Sequence, residues 1–294
     1  MKILVISDFH GKIPYGLKKF VKKNEVDLIL SPGDFYGGYH SKKFEKIWEK
    51  HIDDIKPNKY GMKNIDGLKE FISKSKYKEI LKKLCNSGKE VLKYLNNIKI
   101  PVIVIAGNCD NRRNELTVTS SRYPVEELVE KFHNIEMLEY EIIEFDKYKI
   151  FGFGATFPFA HRSFLLSKKT KKRTKENIKK LRKEERENLK NFLKKDSGQK
   201  IILSHVPPKN TKLDEIKNPK NPWHGRHVGD DILMRAVKKY QPLLNVCGHM
   251  HENQGKIRIG KTLVVNSGYG KKGEFALIDI TGTKVKAKLL NLYE

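Results

Sequence analysis

The 294-residue sequence contains only three cysteines, Cys85, Cys109 and Cys247, and their spacing does not repeat. An odd number of unevenly spaced cysteines argues against a disulfide framework, so we expect a reducing, cytoplasmic environment. No apolar run approaches the roughly 18 residues that a membrane-spanning helix needs. The first apolar stretch, residues 3–6, is too short for the core of a signal peptide. These absences favour a cytoplasmic protein that does not interact with membranes.

Arginine is scarce beside lysine: the chain has 10 arginines and 50 lysines, and its formal net charge is +25. Two segments contribute most of this excess, residues 38–97 with a net charge of +7 and residues 168–195 with +10. Such charge is typical of nucleic-acid-binding proteins, but neither segment has regularly interleaved aromatics or a repeat. We therefore favour a lysine-rich solvated surface and keep nucleic acid as a less favoured partner.

Internal repeats and linkers rich in Ser, Pro or Gly are also absent, which favours a single domain over residues 1–294. Helical patterns at about 38–97 and 160–198 interrupt the strands and are predicted to be insertions. In the second insertion, Thr174–Lys195 is predicted to form a helix. Its apolar stripe comprises Ile178, Leu181, Leu189, Phe192 and Leu193.

Short apolar runs recur along the chain and predict β-strands. Five lack clean alternation, which is typical of strands covered on both faces: Lys2–Ile6, Val26–Leu30, Pro101–Ala106, Lys200–Leu203 and Leu243–Cys247. Two more strands are predicted at Glu141–Phe145 and Lys149–Phe153, and helices at Leu17–Lys23, Val125–Phe132 and Asp231–Tyr240. This order predicts an α/β fold. After Gln254, four short runs with glycine-containing turns predict an antiparallel meander: Lys256–Ile259, Thr262–Val265, Glu274–Ile280 and Lys284–Leu292.

A polar segment follows each of the five buried runs: SDFHG at 7–11, SPGD at 31–34, GNCD at 107–110, SHVPP at 204–208 and GHMH at 248–251. Taken singly, each has an ordinary explanation as a turn or a helix cap. Ligands of open α/β sheets, however, bind at the carboxyl ends of the strands. The oxygen and imidazole donors collected there suit transition metals and are too many for one ion, so we predict a two-metal site. Its predicted donors are Asp8, His10, Asp34, Asn108, His205, His249 and His251.

The last segment carries two histidines, His249 and His251, two residues apart. If this segment continues the preceding strand, both side chains point to the same side. We expect this pair to complete the metal site.

The five segments resemble the signature blocks of the calcineurin-like metallophosphoesterases, in the family's order and over nearly the whole chain. The resemblance implies a four-layer α/β/β/α sandwich of two mixed β-sheets. It also implies two metal positions, one held by Asp8, His10, Asp34 and His251, the other by Asp34, Asn108, His205 and His249. Asp34 would bridge them. The resemblance also implies two divalent transition-metal ions, Mn²⁺ before Fe, Ni, Co or Zn, and mixed nitrogen and oxygen ligands do not themselves select sharply among these.

The resemblance further implies a hydrolase acting on phosphoric ester bonds through a hydroxide that bridges two metals. We expect a phosphodiesterase whose substrate is a small phosphate ester or a nucleotide. The alternative is a metal-dependent nuclease acting on DNA or RNA. A non-catalytic scaffold on the same fold is less favoured, because all seven ligand positions are filled.

The GNCD segment departs from the pattern of many family members, which have histidine at the position of Cys109. That histidine is thought to protonate the leaving group or to hold phosphate; members with cysteine include phosphodiesterases. Cys109 is a poor acid for an alkoxide, and simple packing is its alternative role. The residues expected to act in catalysis are Asp34, Asn108, Asp110 and His205, with Asp110 anchoring its loop. Asn108 and Arg112 are predicted to contact the substrate. For Arg112 the reason is that its guanidinium can pair with phosphate oxygens.

A second polar cluster, WHGRHVGD at 223–230, precedes the predicted helix at Asp231. Histidine beside glycine at a helix start can hold an anion, so His227 is predicted to contact the substrate. An ordinary loop with a helix cap at Asp230 is the alternative. His224, Arg226, His161 and Arg162 are weaker candidates.

Overall fold

The computed structural model describes residues 1–37, 42–57, 59, 63–113, 119–120, 122–154, 168–169, 171–194 and 199–294. His161, Arg162 and part of the insertion predicted at 160–198 lie outside these residues. None of the described helices combines the length and the apolar character that a bilayer span requires.

The first of two six-stranded sheets has the order β12–β11–β1–β2–β3–β4. Strands β1 to β4 are parallel, whereas β11 runs antiparallel to both β1 and β12. The strands are β1 (Lys2–Val5), β2 (Leu28–Ser31), β3 (Val102–Val104), β4 (Ile135–Met137), β11 (Glu274–Thr281) and β12 (Lys284–Asn291).

The second sheet has the order β5–β6–β7–β8–β10–β9, with the four inner strands parallel and both edge strands antiparallel to their neighbours. Its strands are β5 (Ile142–Phe145), β6 (Tyr148–Phe153), β7 (Gln199–Ser204), β8 (Leu244–Cys247), β9 (Gly255–Ile259) and β10 (Thr262–Asn266). The meander predicted after Gln254 is therefore wrong. Strands β9 and β10 belong to this sheet and β11 and β12 to the other, because β10 is buried throughout and pairs in parallel with β8.

Three apolar clusters separate four layers. Alternation along β1 turns Ile3 and Val5 toward the second sheet, where they pack with side chains such as Leu203 and Val246. Leu4 and Ile6 point the other way, into a cluster with helices. These outer helices are α1 (Leu17–Lys23), α3 (Lys74–Asn96) and α4 (Val125–Val129). On the far face of the second sheet lie α5 (Lys172–Lys194) and α6 (Asp231–Tyr240). The predicted four-layer sandwich is confirmed.

The two predicted insertions supply helices to these outer layers. The first contains α2 (Lys42–His51), a 3₁₀ helix at Ile65–Glu70 and α3, whose apolar face packs on the first sheet. In α5, Leu189, Phe192 and Leu193 pack on the second sheet. The predicted stripe is otherwise right, although Leu181 is only half-buried. The boundaries of the insertions stay a prediction.

Candidate metal centre

Three of the predicted donors converge beyond the ends of β1 and β8. The Nε2 atoms of His10 and His251 are 3.1 Å apart, and His251 Nε2 lies 3.0 Å from Asp8 Oδ1. His10 Nε2 lies 3.9 Å from the same oxygen. All three side chains thus present one donor atom each to a common point.

A second group forms beyond β3, β7 and β8. Asn108 Oδ1 lies 2.8 Å from both His205 Nε2 and His249 Nδ1, and the two ring nitrogens are 3.2 Å apart. The other nitrogen of His205, Nδ1, lies 2.7 Å from the carbonyl oxygen of Pro32. If Nδ1 carries the proton and donates it in a hydrogen bond to this carbonyl oxygen, Nε2 keeps a lone pair that can bind a metal.

Asp34 lies between the two groups. Its Oδ2 atom is 3.7 Å from His10 Nε2, in the first group, and 3.6 Å from His205 Nε2, in the second. Metal–ligand distances of about 2.0–2.2 Å place neighbouring ligand atoms roughly 3 Å apart, which is the spacing found inside each group. The side chains therefore fit two metal ions that share one carboxylate.

Both aspartates use one oxygen for the backbone and turn the other toward the imidazoles. Asp8 Oδ2 accepts hydrogen bonds from the Ser7 hydroxyl and from the amide of His249, 3.0 Å away. Asp34 Oδ1 accepts one from the amide of Cys109 at 2.7 Å. Glycine is required beside each oxygen. A Cβ atom on Gly248 would lie 2.3 Å from Asp8 Oδ2, and one on Gly107 would lie 2.0 Å from Asp34 Oδ1.

Four of the seven predicted ligands have a left-handed backbone: Asp8 (φ 56°), His10 (43°), Asp34 (61°) and His249 (67°). This conformation is strained for non-glycine residues and clusters at functional sites. The GHMH segment does not continue the preceding strand, because β8 ends at Cys247 and the chain turns at His249. His249 and His251 consequently serve different groups rather than pointing the same way.

Burial sets the protonation of the imidazoles. It lowers the pKa of His205, and together with the charge of His205 it lowers the pKa of His249 to about 3. Neutral imidazole is the form that binds a metal. Both rings are therefore ready to act as ligands at neutral pH.

The two aspartates respond differently to the same environment. Burial alone would raise the pKa of Asp8, but the hydrogen bond and charge of His251 outweigh it, so this pKa is lowered. Burial, followed by the charges of Asp8 and Asp110, raises the pKa of Asp34 well above its usual value. A cation beside Asp34 would favour its ionised form.

Asp110 holds the loops that carry Asp34 and Asn108. Its Oδ2 accepts hydrogen bonds from the amides of Asp34 and Gly107 at 2.9 and 2.7 Å, and its Oδ1 accepts from two further amides, Phe35 and Tyr36. The anchoring role predicted for Asp110 agrees with these contacts. Burial raises the pKa of this carboxyl to about 6, although the four amides act in the opposite direction.

Cys109 lies beside two of the candidate metal ligands. It is buried, and its Sγ lies within 4.8 Å of donor atoms of His10 and Asp34. The side-chain nitrogen of Asn108, Nδ2, donates a hydrogen bond to this sulfur at 3.2 Å. Burial, then the charges of Asp34 and Asp110, raises the pKa of the thiol well above its usual value, so the sulfur stays protonated at neutral pH.

The two remaining predicted substrate contacts are held by carboxylates. Arg112 is buried, and its guanidinium forms an ion pair with Glu139. His227 Nδ1 lies 2.8 Å from Asp214 Oδ1, while its side chain is 36% exposed. The loop of His227 contacts the GHMH turn, because Val228 packs with Met250. The cap predicted at Asp230 is confirmed, since its side chain accepts from the Leu233 amide.

Tyr269 is a residue of the centre that the sequence reasoning missed. Its ring stacks on His251 with centroids 4.1 Å apart and an interplanar angle of 5°, and it meets His10 edge-on at 5.8 Å. The signal was present: NSGYG at 266–270 follows a buried strand, β10, as the other polar segments do. The meander interpretation hid it, because β10 was not recognised as parallel to β8.

A cleft of about 260 Å³ opens beside His10. Phe44 and Ile47 of α2 and Ile80 of α3 form apolar walls, and two lysines of α3 also line it. Both lysines, Lys76 and Lys83, form 2.8 Å ion pairs with Glu79. The first predicted insertion therefore lines a cleft that contacts the candidate metal centre.

Comparisons with known proteins identify the family of this chain. A family model described as metallophosphoesterase, calcineurin superfamily, matches residues 1–290. The uncharacterized protein MJ1162 of Methanocaldococcus jannaschii is 24% identical over 268 residues, which are 90% of this chain and 87% of that protein. The crystal structure of TT1561 of Thermus thermophilus has a TM-score of 0.54 at 14% identity, with 98% of each chain covered, a likeness that shows the fold. The chain belongs to the calcineurin superfamily of metallophosphoesterases, and it is a metal-dependent hydrolase of phosphoric esters.

Proposed function

We propose that this protein is a phosphodiesterase with two divalent metal ions bridged by Asp34. The observation that carries this proposal is the position of Asp34 Oδ2, 3.7 Å from an imidazole of the first group and 3.6 Å from one of the second. Asp8, His10 and His251 complete one position. Asn108, His205 and His249 complete the other. Mn²⁺ is the ion that we expect first from the family resemblance, since the mixed nitrogen and oxygen donors accept several divalent transition metals.

The surrounding residues keep these donors oriented. When bound, the ions would polarise phosphoryl oxygens and lower the pKa of a water. Asp110 fixes the loops of Asp34 and Asn108 through four amides. Ser7 and the amide of His249 hold Asp8 so that its second oxygen faces His251. Of the substrate-contact candidates, we expect Asn108, a donor of the second position, and His227, whose neighbour Val228 packs with Met250, to contact the ester.

A diester is favoured over a monoester on two grounds. A diester carries one negative charge where a monoester carries two, and Arg112, the cation predicted to meet phosphate, is buried against Glu139. The thiol of Cys109, where many relatives have histidine, is a weak proton donor to an alkoxide. The buried arginine thus suits the lower charge of a diester, and family members with cysteine at this position include phosphodiesterases. The weak proton donor restricts the leaving group in either class of ester.

The test of the metal assignment is a variant at Asp34. We expect chelation to abolish hydrolysis of bis(4-nitrophenyl) phosphate, Mn²⁺ to restore it, and Asp34→Asn to lower kcat about 100-fold or more, since one change weakens both metal positions. Asp54→Asn, an exposed aspartate outside the centre, is the matched control and should be silent. Two metals per chain and normal turnover in Asp34→Asn would refute the bridging role.

The substrate class is tested separately. The rate on bis(4-nitrophenyl) phosphate should exceed the rate on 4-nitrophenyl phosphate at saturating Mn²⁺. Short single-stranded and duplex oligonucleotides are assayed as a third class of substrate. Cleavage of either at a kcat/KM well above that of the small diester would replace this proposal with the nuclease alternative.

A further inference from the structure

A second cavity, of about 630 Å³, lies on a different face of α3 from the cleft beside His10. Residues at helical spacing on α3 form one wall, among them Lys74, Tyr77, Lys78, Leu81 and Lys82. Lys69 of the 3₁₀ helix and Arg122 and Tyr123, ahead of α4, complete the lining. None of the candidate metal ligands lines this cavity. Its volume is in the range of small-molecule sites, about 300–1,000 Å³.

The lining of this cavity is cationic. It carries four lysines and one arginine, and no aspartate or glutamate lines it in the part of the chain that the structure describes. Lys74, Lys78 and Lys82 follow one another at intervals of four residues, so neighbouring like charges on one helix face repel each other. Lys76 and Lys83 of the same helix are instead both paired with Glu79. The row of Lys74, Lys78 and Lys82 therefore presents positive charge to an anion.

The walls of the cavity are aromatic and apolar. Arg122 lies over the ring of Tyr77 at 5.9 Å, and Leu81 forms part of the same wall. The carboxylate of Asp66 accepts a hydrogen bond from the hydroxyl of Tyr77 at 2.7 Å, so one negative charge lies near the five cations of the lining. Tyr123 is 58% exposed. Flat rings beside cations are the combination that stacks a nucleobase while holding its phosphate.

We propose that this cavity binds a nucleoside phosphate, with the base against the exposed ring of Tyr123 and the phosphates on Lys74, Lys78 and Lys82. Inorganic phosphate could pair with the lysines but has no base to stack on the ring of Tyr123. This site is additional to the metal centre and does not depend on which ester the centre hydrolyses.

The experiment measures binding of a non-hydrolysable probe to the full-length, metal-loaded protein. The probe is an adenosine diphosphate whose bridging oxygen is replaced by methylene, and calorimetry gives its Kd. Lys78→Glu with Lys82→Glu should raise this Kd about tenfold or more, because two attractions become repulsions. The matched control is Lys179→Glu with Lys183→Glu, which has the same spacing and charge change on exposed positions of α5, a helix of the same length. The control should leave the Kd unchanged.

Two further measurements separate the proposal from general electrostatics and from the metal centre. Tyr123→Asn should weaken the adenosine probe but not tripolyphosphate; asparagine suits the left-handed backbone at this position, where φ is 52°. Hydrolysis of bis(4-nitrophenyl) phosphate should be the same in every variant. An unchanged Kd in the Lys78/Lys82 variant, an equal rise in the α5 control, or equal affinity for tripolyphosphate and the adenosine probe in the wild type would each overturn the proposal.

Discussion

At the scale of single residues, the seven predicted donors could be found because each follows a buried strand. Their convergence at the carboxyl ends of strands from both sheets is what the structure adds, down to distances near 3 Å. Hydrogen bonds from backbone amides could not be predicted from the sequence, because a motif does not show which amide will face a carboxylate. The four amides on Asp110 suggest anchoring rather than direct chemistry for a residue first placed in the catalytic set. Tyr269 escaped because its strand was given the wrong neighbours.

A prediction at this scale concerns the ring stacked on His251. Tyr269→Ala removes that support, so we expect the affinity for one of the two metals to fall about 10–100-fold, as is usual when a residue that orients a ligand is lost. Tyr269→Phe retains the ring and should bind both metals normally. Metal titration by calorimetry checks both variants. If the alanine and phenylalanine variants behave alike, stacking is not the role of Tyr269.

At the scale of elements, the positions of strands were predicted more accurately than their pairing. Strands β1, β2, β3, β7 and β8 lie within two residues of their predicted positions, since continuous apolar runs mark strands buried on both faces. Strand β4 has three residues and was not predicted. Pairing after Gln254 failed for another reason: short strands joined by glycine turns look alike whether their partners are adjacent or distant in sequence. In α5, the periodic pattern gave the apolar face but not the buried ion pairs beside it.

Those ion pairs make α5 sensitive to pH. Arg182 Nη1 lies 2.7 Å from both Glu185 Oε2 and Asp230 Oδ2, and so links α5 to the start of α6. Burial raises the pKa of Glu185 from 4.5 to about 7, against the influence of Arg182. The folded chain thus keeps this proton at a pH where the unfolded chain has lost it. The free energy of unfolding contributed here is greatest below about pH 4.5 and is lost as the pH rises through 7.

We expect Glu185→Gln to remove this decrease in the free energy of unfolding, which is on the order of 3 kcal/mol between pH 4.5 and about 7. Denaturant unfolding at pH 5, 6, 7 and 8, all at saturating metal, measures it as the difference from wild type. Glu184→Gln, a 58% exposed neighbour on the same helix, should retain the wild-type profile. A wild-type profile in Glu185→Gln would place the titrating group elsewhere.

At the scale of the whole molecule, the candidate metal centre joins the two sheets. Asp8, His10, Asp34 and Asn108 follow strands of the first sheet, whereas His205, His249 and His251 follow strands of the second. Each predicted metal position takes donors from both sides. The family resemblance implied this arrangement, but composition and periodicity alone could not assign strands to sheets.

Metal should therefore stabilise both sheets together. An ion at 100 times its Kd adds about 2.7 kcal/mol for each site, so Mn²⁺ should raise Tm by several degrees over chelated protein. Asp8→Ala and His249→Ala change opposite sheets, yet each should lose much of this rise. Thermal unfolding with and without Mn²⁺ makes the comparison. A full rise in either variant would mean that the ions do not bridge the sheets.

The place of β1 in the first sheet has a consequence for synthesis on the ribosome. Its register joins Lys2 to Asp279 and Val5 to Ala276, so one side of the earliest strand is completed by one of the last. Until β11 emerges, the nascent chain carries an apolar strand whose amides and carbonyls on that side lack their partner, a template for wrong pairing. Slow translation of the middle of the message would lengthen that interval. Chaperone demand should accordingly depend on elongation rate more than on the stability of the finished fold.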